Sequence, residues 1–398
     1  MFSSIGQHFD QPQNRLYQER ERRRASGLPV LDLVSGNVHD QGIHFPADSL
    51  RKAMDTGLRL SRSYRPDPRG QKKAREGISR FYRTEGLSIP PEQLILTPGT
   101  SLSYLYAFKL LGNPGDEFLC PRPTYPLFDS IATLADIQLR PYPLRPEGRR
   151  WVIDWEGLSA AITDRSRAIV LISPHNPTGA VASPEEVDRL CHLAAEKDLA
   201  IISDEVFSPF VFAKGPLPRP ASHATPLVLT LNGFSKMFAL PGSKIGWMAV
   251  TGPAPRVQQA LKTLEMISDT FLPVHEAAQA AVPLLFQRGR PFLNRFQTEV
   301  RRRMRLATRE LSRYPVFDVI PPEGGFYLAV RLTNGLDDER FAYEALHRHG
   351  LLIHPGFFYE LEGSYFVLSG MEKPAVLRTA LRTLARLARG GRGRCLVL

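Results

Sequence analysis

Residues 168–205 read AIVLISPHNPTGAVASPEEVDRLCHLAAEKDLAIISDE, and they decide the fold because two apolar runs enclose one helical pattern. The runs at 168–174 and 199–205 are continuously apolar rather than alternating, which is typical of strands covered on both faces. Residues 183–198 have the amphipathic spacing of a helix, and Ser183 stands where an N-cap is expected. A strand, a crossover helix and a second strand together predict a parallel α/β sheet.

The same alternation of apolar runs and helical patterns extends from about residue 46 to residue 285. Five more runs predict strands: LILT (94–97), EFLCP (117–121), IQLRPYPL (137–144), LVLTLNGFS (227–235) and IGWMAV (245–250). We therefore expect a large domain with a mostly parallel seven-stranded sheet. Its functional groups should gather at the carboxyl ends of the strands, where ligands bind in open α/β sheets.

The pattern changes after residue 285 to a long basic helix (290–314), a strand (324–332) and a terminal helix (373–390). Fewer strands and longer helices predict a smaller α+β domain. We divide the chain into an N-terminal arm with part of the small domain (1–45), the large domain (46–285) and the C-terminal small domain (286–398). The first 30 residues contain a basic helical pattern and need not enter any core.

Composition argues against several classes of protein. With 43% hydrophobic and 23% charged residues the chain is typical of globular proteins. The absence of an 18-residue apolar run and of a signal-peptide pattern predicts no membrane span and a cytoplasmic location. The net charge of +11 is spread over scattered arginine clusters, which favours solvated helix faces over nucleic-acid binding.

Only three cysteines occur, Cys120, Cys191 and Cys395, and none has the spacing of a metal ligand pair. We therefore expect reduced thiols, with neither a disulfide framework nor a metal site.

Two lysines, Lys236 and Lys244, stand in the apolar stretch GFSKMFALPGSKIGW (233–247), which contains no carboxylate. Lys236 directly follows a predicted strand and has glycines nearby, where the backbone can approach a ligand closely. A lysine that faces an apolar cleft has a lowered pKa and can form an imine with an aldehyde.

Four other motifs end strands or begin helices. The motif IISDEV (201–206) ends an apolar strand with two carboxylates, Asp204 and Glu205. Because side chains alternate along a strand, only one of these acids points inward, where it needs a positive partner. Asn176 lies between two prolines in SPHNPTG and presents an amide. A helix start that can hold a phosphate contains Gly99, Thr100 and Ser101. Tyr125, in the proline-rich turn CPRPTYPLF (120–128), presents an aromatic ring.

Each motif alone also fits a plain turn or helix cap. An imine-forming lysine, an acid for a ring nitrogen, an amide for a ring oxygen, an aromatic plate and a phosphate site together describe pyridoxal 5′-phosphate.

These motifs resemble those of the class I/II aminotransferases, which are fold type I pyridoxal-phosphate enzymes, over residues 28–388. The stretches that carry the resemblance are SYRPDPRG, TPGTS, NPGDE, PRPTYPLF, SPHNPTG, SDEVF, FSKMFALPGSKIGW, EGGFYLAV and PGFFY. The resemblance implies a large pyridoxal-phosphate-binding domain, a small-molecule amino substrate, and a homodimer whose sites lie at the subunit interface.

The resemblance also implies residue roles. Lys236 would carry the Schiff base, Asp204 would pair with the pyridine nitrogen, and Tyr125 would stack on the ring, so these three are the expected catalytic residues. Asn176 would bond the ring 3-oxygen, and Gly36 would line the substrate pocket. The other expected cofactor-binding positions are Gly99, Thr100, Ser101, Phe207, Ser235, Lys244 and Tyr64, the last reaching the phosphate of the partner subunit.

Four positions depart from the family pattern. Phe207 stands where a tyrosine usually donates to the 3-oxygen, and Gly233 replaces a serine that usually contacts phosphate. Lys244 replaces an arginine, so a bidentate clamp becomes a point charge. Val367 in YFVLSG (365–370) stands where an arginine usually grips the substrate α-carboxylate. Substitutes near site motifs in the sequence are Arg65, Arg69, Arg122 and His39.

The resemblance therefore predicts a pyridoxal-phosphate-dependent aminotransferase that acts on an amino acid or a related amine. Val367 keeps another reaction on the same scaffold open, namely decarboxylation, β- or γ-elimination or replacement, or cyclisation. A non-catalytic regulatory protein that binds the same cofactor is the third reading.

Overall fold

The structure is a computed structural model that describes residues 4–10, 12–213 and 215–390. Its strands are β1 Leu31–Asp32, β2 Leu94–Thr97, β3 Glu117–Arg122, β4 Gln138–Glu147, β5 Arg150–Ile153, β6 Ser166–Ile172, β7 Ala200–Asp204, β8 Val228–Gly233, β9 Gly246–Thr251, β10 Phe317–Val319, β11 Tyr327–Leu332, β12 Leu351–Leu352, β13 His354–Pro355 and β14 Tyr365–Ser369. Its helices are α1 Ser4–Phe9, α2 Arg15–Ala25, α3 Ala47–Leu60, α4 Lys72–Thr84, α5 Thr100–Leu111, α6 Leu127–Ala135, α7 Trp155–Ala161, α8 Pro184–Glu196, α9 Phe234–Met237, α10 Ala254–Phe271, α11 Glu276–Leu311, α12 Asp338–His349 and α13 Pro374–Ala388.

The large sheet has the strand order β2-β9-β8-β7-β6-β3-β4-β5. Its centre, from β8 through β7, β6 and β3 to β4, is parallel, whereas β9 is antiparallel to both of its neighbours. All seven predicted strands are present. An eighth, β5, pairs antiparallel with the end of β4 and extends the sheet.

Both faces of this sheet are covered, as its continuous apolar runs predicted. Ile201 and Ile202 are neighbours on β7 and fully buried, yet they belong to two separate hydrophobic cores. Ser183 caps α8 as expected, because its hydroxyl accepts from the Glu186 amide at 3.2 Å while the Glu186 carboxylate accepts from the Ser183 amide at 2.9 Å. This capping box fixes the crossover between β6 and β7.

The remaining strands form two smaller sheets. One has the antiparallel order β10-β11-β14-β13, and the other is the parallel pair of β1 with β12, in which Leu31 lies opposite Leu351. The segment after the N-terminal arm therefore joins the C-terminal part of the chain. The domain boundaries at 45 and 285 stay predictions, and α11 runs without a break across the second of them.

The N-terminal arm differs from expectation, because α2 enters the core. Leu16 and Glu19 on α2 are 3% and 5% exposed, and Glu19 pairs with both Arg22 and His347. One apolar and one acidic side chain, each with a partner in the rest of the fold, are sufficient to bury one face of an otherwise basic helix.

Cys120 and Cys191 are buried free thiols, as predicted, and Cys395 lies outside the described residues. In the ranges that the structure describes, no helix is both long and apolar enough to cross a membrane.

Helix α3 crosses α11 at a glycine. A Cβ atom at Gly57 would lie 2.1 Å from the carbonyl oxygen of Ala277, a backbone atom that has no rotamer with which to move aside. We expect Gly57→Ala to lower the free energy of unfolding by about 1–3 kcal/mol, since overpacking forces the two helices apart. Chemical denaturation measures this change.

The matched control is Gly242→Ala, because Gly242 is exposed and an added Cβ there meets nothing within 4 Å. That variant should unfold within about 0.5 kcal/mol of the wild type, as surface substitutions do. Equal stability of Gly57→Ala and wild type would show that the two helices do not pack this closely.

Candidate active site

A cavity of about 140 Å³ opens at the carboxyl ends of β6, β7 and β8. Ile172, Asp204 and Gly233, the last residues of these three strands, all line it. Eight of the sequence-predicted site residues also lie in its wall: Thr100, Ser101, Tyr125, Asn176, Asp204, Phe207, Ser235 and Lys236.

Lys236 lies on the single turn of α9, directly after β8. Its Nζ donates to the carbonyl oxygen of Gly36 at 3.2 Å, and no carboxylate of the described residues pairs with it. Burial lowers the pKa of Lys236 to about 8, because a charged ammonium is poorly solvated there. A substantial fraction of the amine is therefore neutral near physiological pH and can act as nucleophile or base.

Gly36 leaves room for this contact. A Cβ atom at Gly36 would lie 2.8 Å from Lys236 Nζ and 2.5 Å from the hydroxyl of Tyr327. The lysine and the phenol therefore converge on the same glycine, and any larger residue there would displace both.

Asp204 ends β7 and is buried, with no cationic partner in the part of the chain described. Its two oxygens accept from the Tyr104 hydroxyl at 2.8 Å and from the Val206 amide at 3.0 Å. Burial raises the pKa of Asp204 to about 6, and the two hydrogen bonds oppose that rise. A positive group in the cavity would lower this pKa and pair with the carboxylate.

The neighbouring acid, Glu205, is also buried but pairs with Arg219 at 2.8 Å. The expectation that only one of the two acids points inward was wrong, because both are buried. Their environments differ: Glu205 has a cation, Arg219, and Asp204 lines the cavity.

Asn176 and Tyr125 lie on other walls of the cavity. The amide oxygen of Asn176 is buried and has no hydrogen-bond partner within the described ranges. Such an acceptor is costly unless a ligand or water satisfies it. Tyr125 is 42% exposed, contacts Phe128 edge-on at 6.3 Å, and lines the cavity.

The start of α5 forms the end of the cavity at Thr100 and Ser101. Gly99 precedes the helix with a φ of +115°, and no side chain caps the first turn. The free backbone amides of that turn and the two hydroxyls are suited to an anion. Strand β9 approaches this loop closely, because a Cβ at Gly246 would lie 2.9 Å from the Gly99 Cα.

Four predicted residues do not line the cavity: Gly36 and Gly99, which contact or precede residues that do, and Lys244 and Tyr64. Lys244 is exposed with a φ of +50°, and Tyr64 is 82% exposed. Their contacts with a bound phosphate stay predictions, and that of Tyr64 requires a second subunit.

The departures Phe207 and Gly233 have local explanations. The Phe207 ring packs against Phe326 at 5.0 Å, and its centroid lies 5.9 Å from Lys236 Nζ, so this wall of the cavity is apolar. A Cβ at Gly233 would lie 2.9 Å from the Ile245 carbonyl oxygen. The close pairing of β8 with β9 therefore leaves no room for a serine.

The arginine missing at position 367 has no substitute among the sequence candidates. Val367 is fully buried on β14, opposite Ala329 and His354. The four candidates have other contacts and do not line the cavity: Arg69 pairs with Glu265, Arg122 pairs with Glu360, the Arg65 amide donates to Glu276, and a ring nitrogen of His39 bonds the Ala239 carbonyl oxygen.

Sequence reasoning missed Tyr104 and Tyr327, which line this cavity, and Asp32, which lines a second cavity that shares Tyr327 with it. The only signal for Tyr104 was its position four residues after Thr100, which places both on one face of α5. Tyr327 lies within EGGFYLAV, one of the stretches that carry the family resemblance, but the motif alone does not assign its tyrosine a role. Nothing in the sequence singled out Asp32.

The sequence profile of the family "Aminotransferase class I and II" matches residues 29–381. The glutamate-pyruvate aminotransferase AlaA of Escherichia coli K12 is 28% identical over 347 residues, 85% of each chain. The arginine-pyruvate transaminase AruH of Pseudomonas aeruginosa is 30% identical over 357 residues, 88% of this chain and 89% of the other.

The solved structure of an aminotransferase from Escherichia coli superposes with a TM-score of 0.88 at 25% identity, covering 99% of both chains. The predicted fold of the type I pyridoxal-phosphate transferases is thereby confirmed.

Proposed function

The chain belongs to the family of class I and II aminotransferases and is an aminotransferase, and from this premise we propose that Lys236 binds pyridoxal 5′-phosphate in the cavity at the sheet edge. Members of this family generally use that cofactor. The observation that carries the proposal is a lysine with a lowered pKa in the same cavity as a buried carboxylate, and neither has a partner of opposite charge within the described residues.

The residues present fit the cofactor. The unpartnered amide oxygen of Asn176, the uncapped first turn of α5 and the exposed ring of Tyr125 are open contacts, and they suit a polar aromatic ring that carries a phosphate. When bound, pyridoxal phosphate supplies an aldehyde that a lysine can capture and a pyridine ring that accepts electrons.

Lys236 has two tasks in this proposal, to hold the cofactor covalently and to carry a proton. Its Nζ is the base that takes the proton from the α-carbon of the amine substrate. The lowered pKa supports both tasks, because a lysine with the usual pKa would be almost fully protonated at pH 7. The carbonyl oxygen of Gly36 holds Nζ in place at 3.2 Å.

Asp204 is proposed to pair with the protonated ring nitrogen. Its carboxylate keeps a fixed orientation because the Tyr104 hydroxyl and the Val206 amide hold one oxygen each. A positive partner would lower the pKa of Asp204 from about 6, so the acid would stay ionised through the physiological range.

The phosphate is proposed to bind at the start of α5, on Gly99, Thr100 and Ser101. Ser235 lines the same cavity, and Lys244 lies two residues before Gly246, which packs on Gly99. The dipole of a 12-residue helix and its free amides support an anion there. Lys244 would contribute a single mobile charge.

A homodimer is the proposed assembly, with Tyr64 reaching the partner's site. Large apolar side chains are exposed on or next to the ends of α3 and α10, as expected for a surface that a second subunit covers. They are Leu58, Leu60, Tyr64, Met266, Phe271 and Leu272. A cytoplasmic location and a role in amino acid metabolism or biosynthesis stay predictions.

Incubation of the purified enzyme with a panel of amino acids and amines tests the proposed reaction. Transamination requires conversion of the cofactor spectrum together with a keto or aldehyde product. Release of carbon dioxide or ammonia instead would favour the second candidate, a lyase, replacement or cyclisation reaction on the same scaffold, which the buried Val367 keeps open.

Phe207→Tyr tests the apolar wall of the cavity. A tyrosine hydroxyl there would donate to the ring 3-oxygen and weaken that oxygen as a partner for the proton on the lysine linkage. We expect the pH midpoint of the cofactor's absorbance change to fall by about one unit, the effect of one hydrogen bond. Spectrophotometric titration of both proteins measures it.

Phe357→Tyr is the matched control, because Phe357 is 45% exposed and does not line the cavity. Its midpoint should equal that of the wild type. A midpoint in Phe207→Tyr that is unchanged or higher would contradict the predicted effect.

A further inference from the structure

A second cavity of about 690 Å³ adjoins the lysine cavity and shares Tyr125, Asn176 and Tyr327 with it. A substrate whose amine lies at Lys236 can therefore place its other end in this second cavity. The side chains at that end determine which substrates the enzyme accepts.

Asp32 lies in the wall of the second cavity, at the end of β1. Its Oδ1 accepts from the backbone amides of Val34 at 2.8 Å and Ser35 at 2.9 Å. These bonds fix the orientation of the carboxylate. Its Oδ2 has no hydrogen-bond partner, and Asp32 has no ion-pair partner, among the residues the structure describes.

Arg20 is the other charged residue of this wall, and its partner Glu21 also pairs with Arg24. Its guanidinium pairs with Glu21 at 2.8 Å and lies 4.6 Å from the centre of the Tyr17 ring. Neither Arg20 nor any other cation of the described residues forms an ion pair with Asp32.

The polar groups around Asp32 are neutral. His354 bonds the Tyr17 hydroxyl at 2.8 Å and the Tyr359 hydroxyl at 3.1 Å. Burial lowers the pKa of His354 to about 4, and although the charge of Asp32 opposes this shift, the imidazole is uncharged at pH 7. His354 also lies directly opposite Val367 on the neighbouring strand, so neither position supplies a cation for a substrate carboxylate.

We propose that the second cavity binds the positively charged end of the substrate, an ammonium or guanidinium group, on Asp32. The inference rests on the proposed function, because the amine at the other end of such a substrate reacts at Lys236. A cationic end would both bond the free oxygen of Asp32 and form the ion pair that this carboxylate lacks among the described residues.

Isothermal titration calorimetry on the cofactor-loaded enzyme tests this proposal with n-butylguanidinium and n-butylurea. The two probes have nearly the same shape but differ in charge, and neither carries the primary amine that reacts at the lysine. We expect the wild type to prefer the guanidinium by about tenfold or more, the range of a hydrogen bond to a charged group.

Asp32→Asn should reduce this preference to about threefold or less, because an amide can still accept the two turn hydrogen bonds but carries no charge. Asp40→Asn is the matched control, since Asp40 is exposed nearby in the chain and lies outside both cavities. It should keep the full preference. Thermal unfolding of both variants should match the wild type, which separates binding from folding.

The proposal is overturned if the wild type does not distinguish the probes, if Asp32→Asn keeps the full preference, or if Asp40→Asn loses as much. Failure of the proposed function looks different. A protein that prefers guanidinium but forms no cofactor linkage at Lys236 contradicts the proposed function, whereas one with the linkage but no preference contradicts only this inference.

Discussion

Lys236→Ala is expected to lower the rate of amino transfer by about 10³-fold or more, because positioned acid–base groups contribute about 10²–10⁴-fold and this lysine also holds the cofactor. The variant loses the only lysine among the described residues that line the cavity. The measurement is the turnover rate with an amine donor and an excess of added cofactor, so that weaker cofactor binding does not limit the result.

Lys262→Ala is the control for this variant, because Lys262 is an exposed lysine on α10, remote from the cavity residues. Its rate should equal that of the wild type. A Lys236→Ala enzyme that keeps more than a tenth of the wild-type turnover would remove Lys236 from the catalytic role.

Asp204→Asn is expected to lower turnover by about 10²-fold or more, the loss seen when one preorganised electrostatic contact is removed. The asparagine has the shape of the acid and can still accept the hydrogen bond from Tyr104, but it has no charge to stabilise a protonated ring nitrogen. The readouts are the turnover rate and the absorbance spectrum of the bound cofactor.

Tyr104→Phe separates charge from orientation. It removes the 2.8 Å hydrogen bond and leaves the carboxylate in place, so the expected loss is smaller, about tenfold, the value of one hydrogen bond to a charged group. If Asp204→Asn turned over at the wild-type rate, or if Tyr104→Phe were the more damaging change, the charge of Asp204 would not be the important property.

The strands were predictable because their signal is local. Apolar runs identified seven strands of the large sheet, and six of them are buried along most of their length, whereas β4 is mostly exposed. β5 has no such run, since its buried and half-buried residues alternate along a hairpin arm. The predicted start of the long helix at residue 290 was also wrong, because α11 continues through Pro283 and Pro291, which usually end helices.

The candidate site was predictable where a motif ends a strand or begins a helix. Asp204, Asn176 and Lys236 follow three adjacent strands, so the sheet brings them to one edge without further information. Tyr104 and Asp32 carry no such signal. Tyr104 contacts an acid 100 residues away, and Asp32 enters the second cavity only because β1 pairs with β12.

Of the departures from the family pattern, the structure explains the glycine at position 233 but not the lysine at position 244. The glycine at 233 follows from the close approach of two strands, which the sequence does not display. Nothing in the structure explains why position 244 is lysine rather than arginine.

Borohydride reduction of the purified enzyme, followed by proteolysis and mass spectrometry, tests the central claim most directly. The account predicts one modified peptide, which contains Lys236 and carries the mass of the reduced cofactor, and no such adduct in Lys236→Ala. An adduct on another lysine in the wild type, or one that persists in Lys236→Ala, would contradict it.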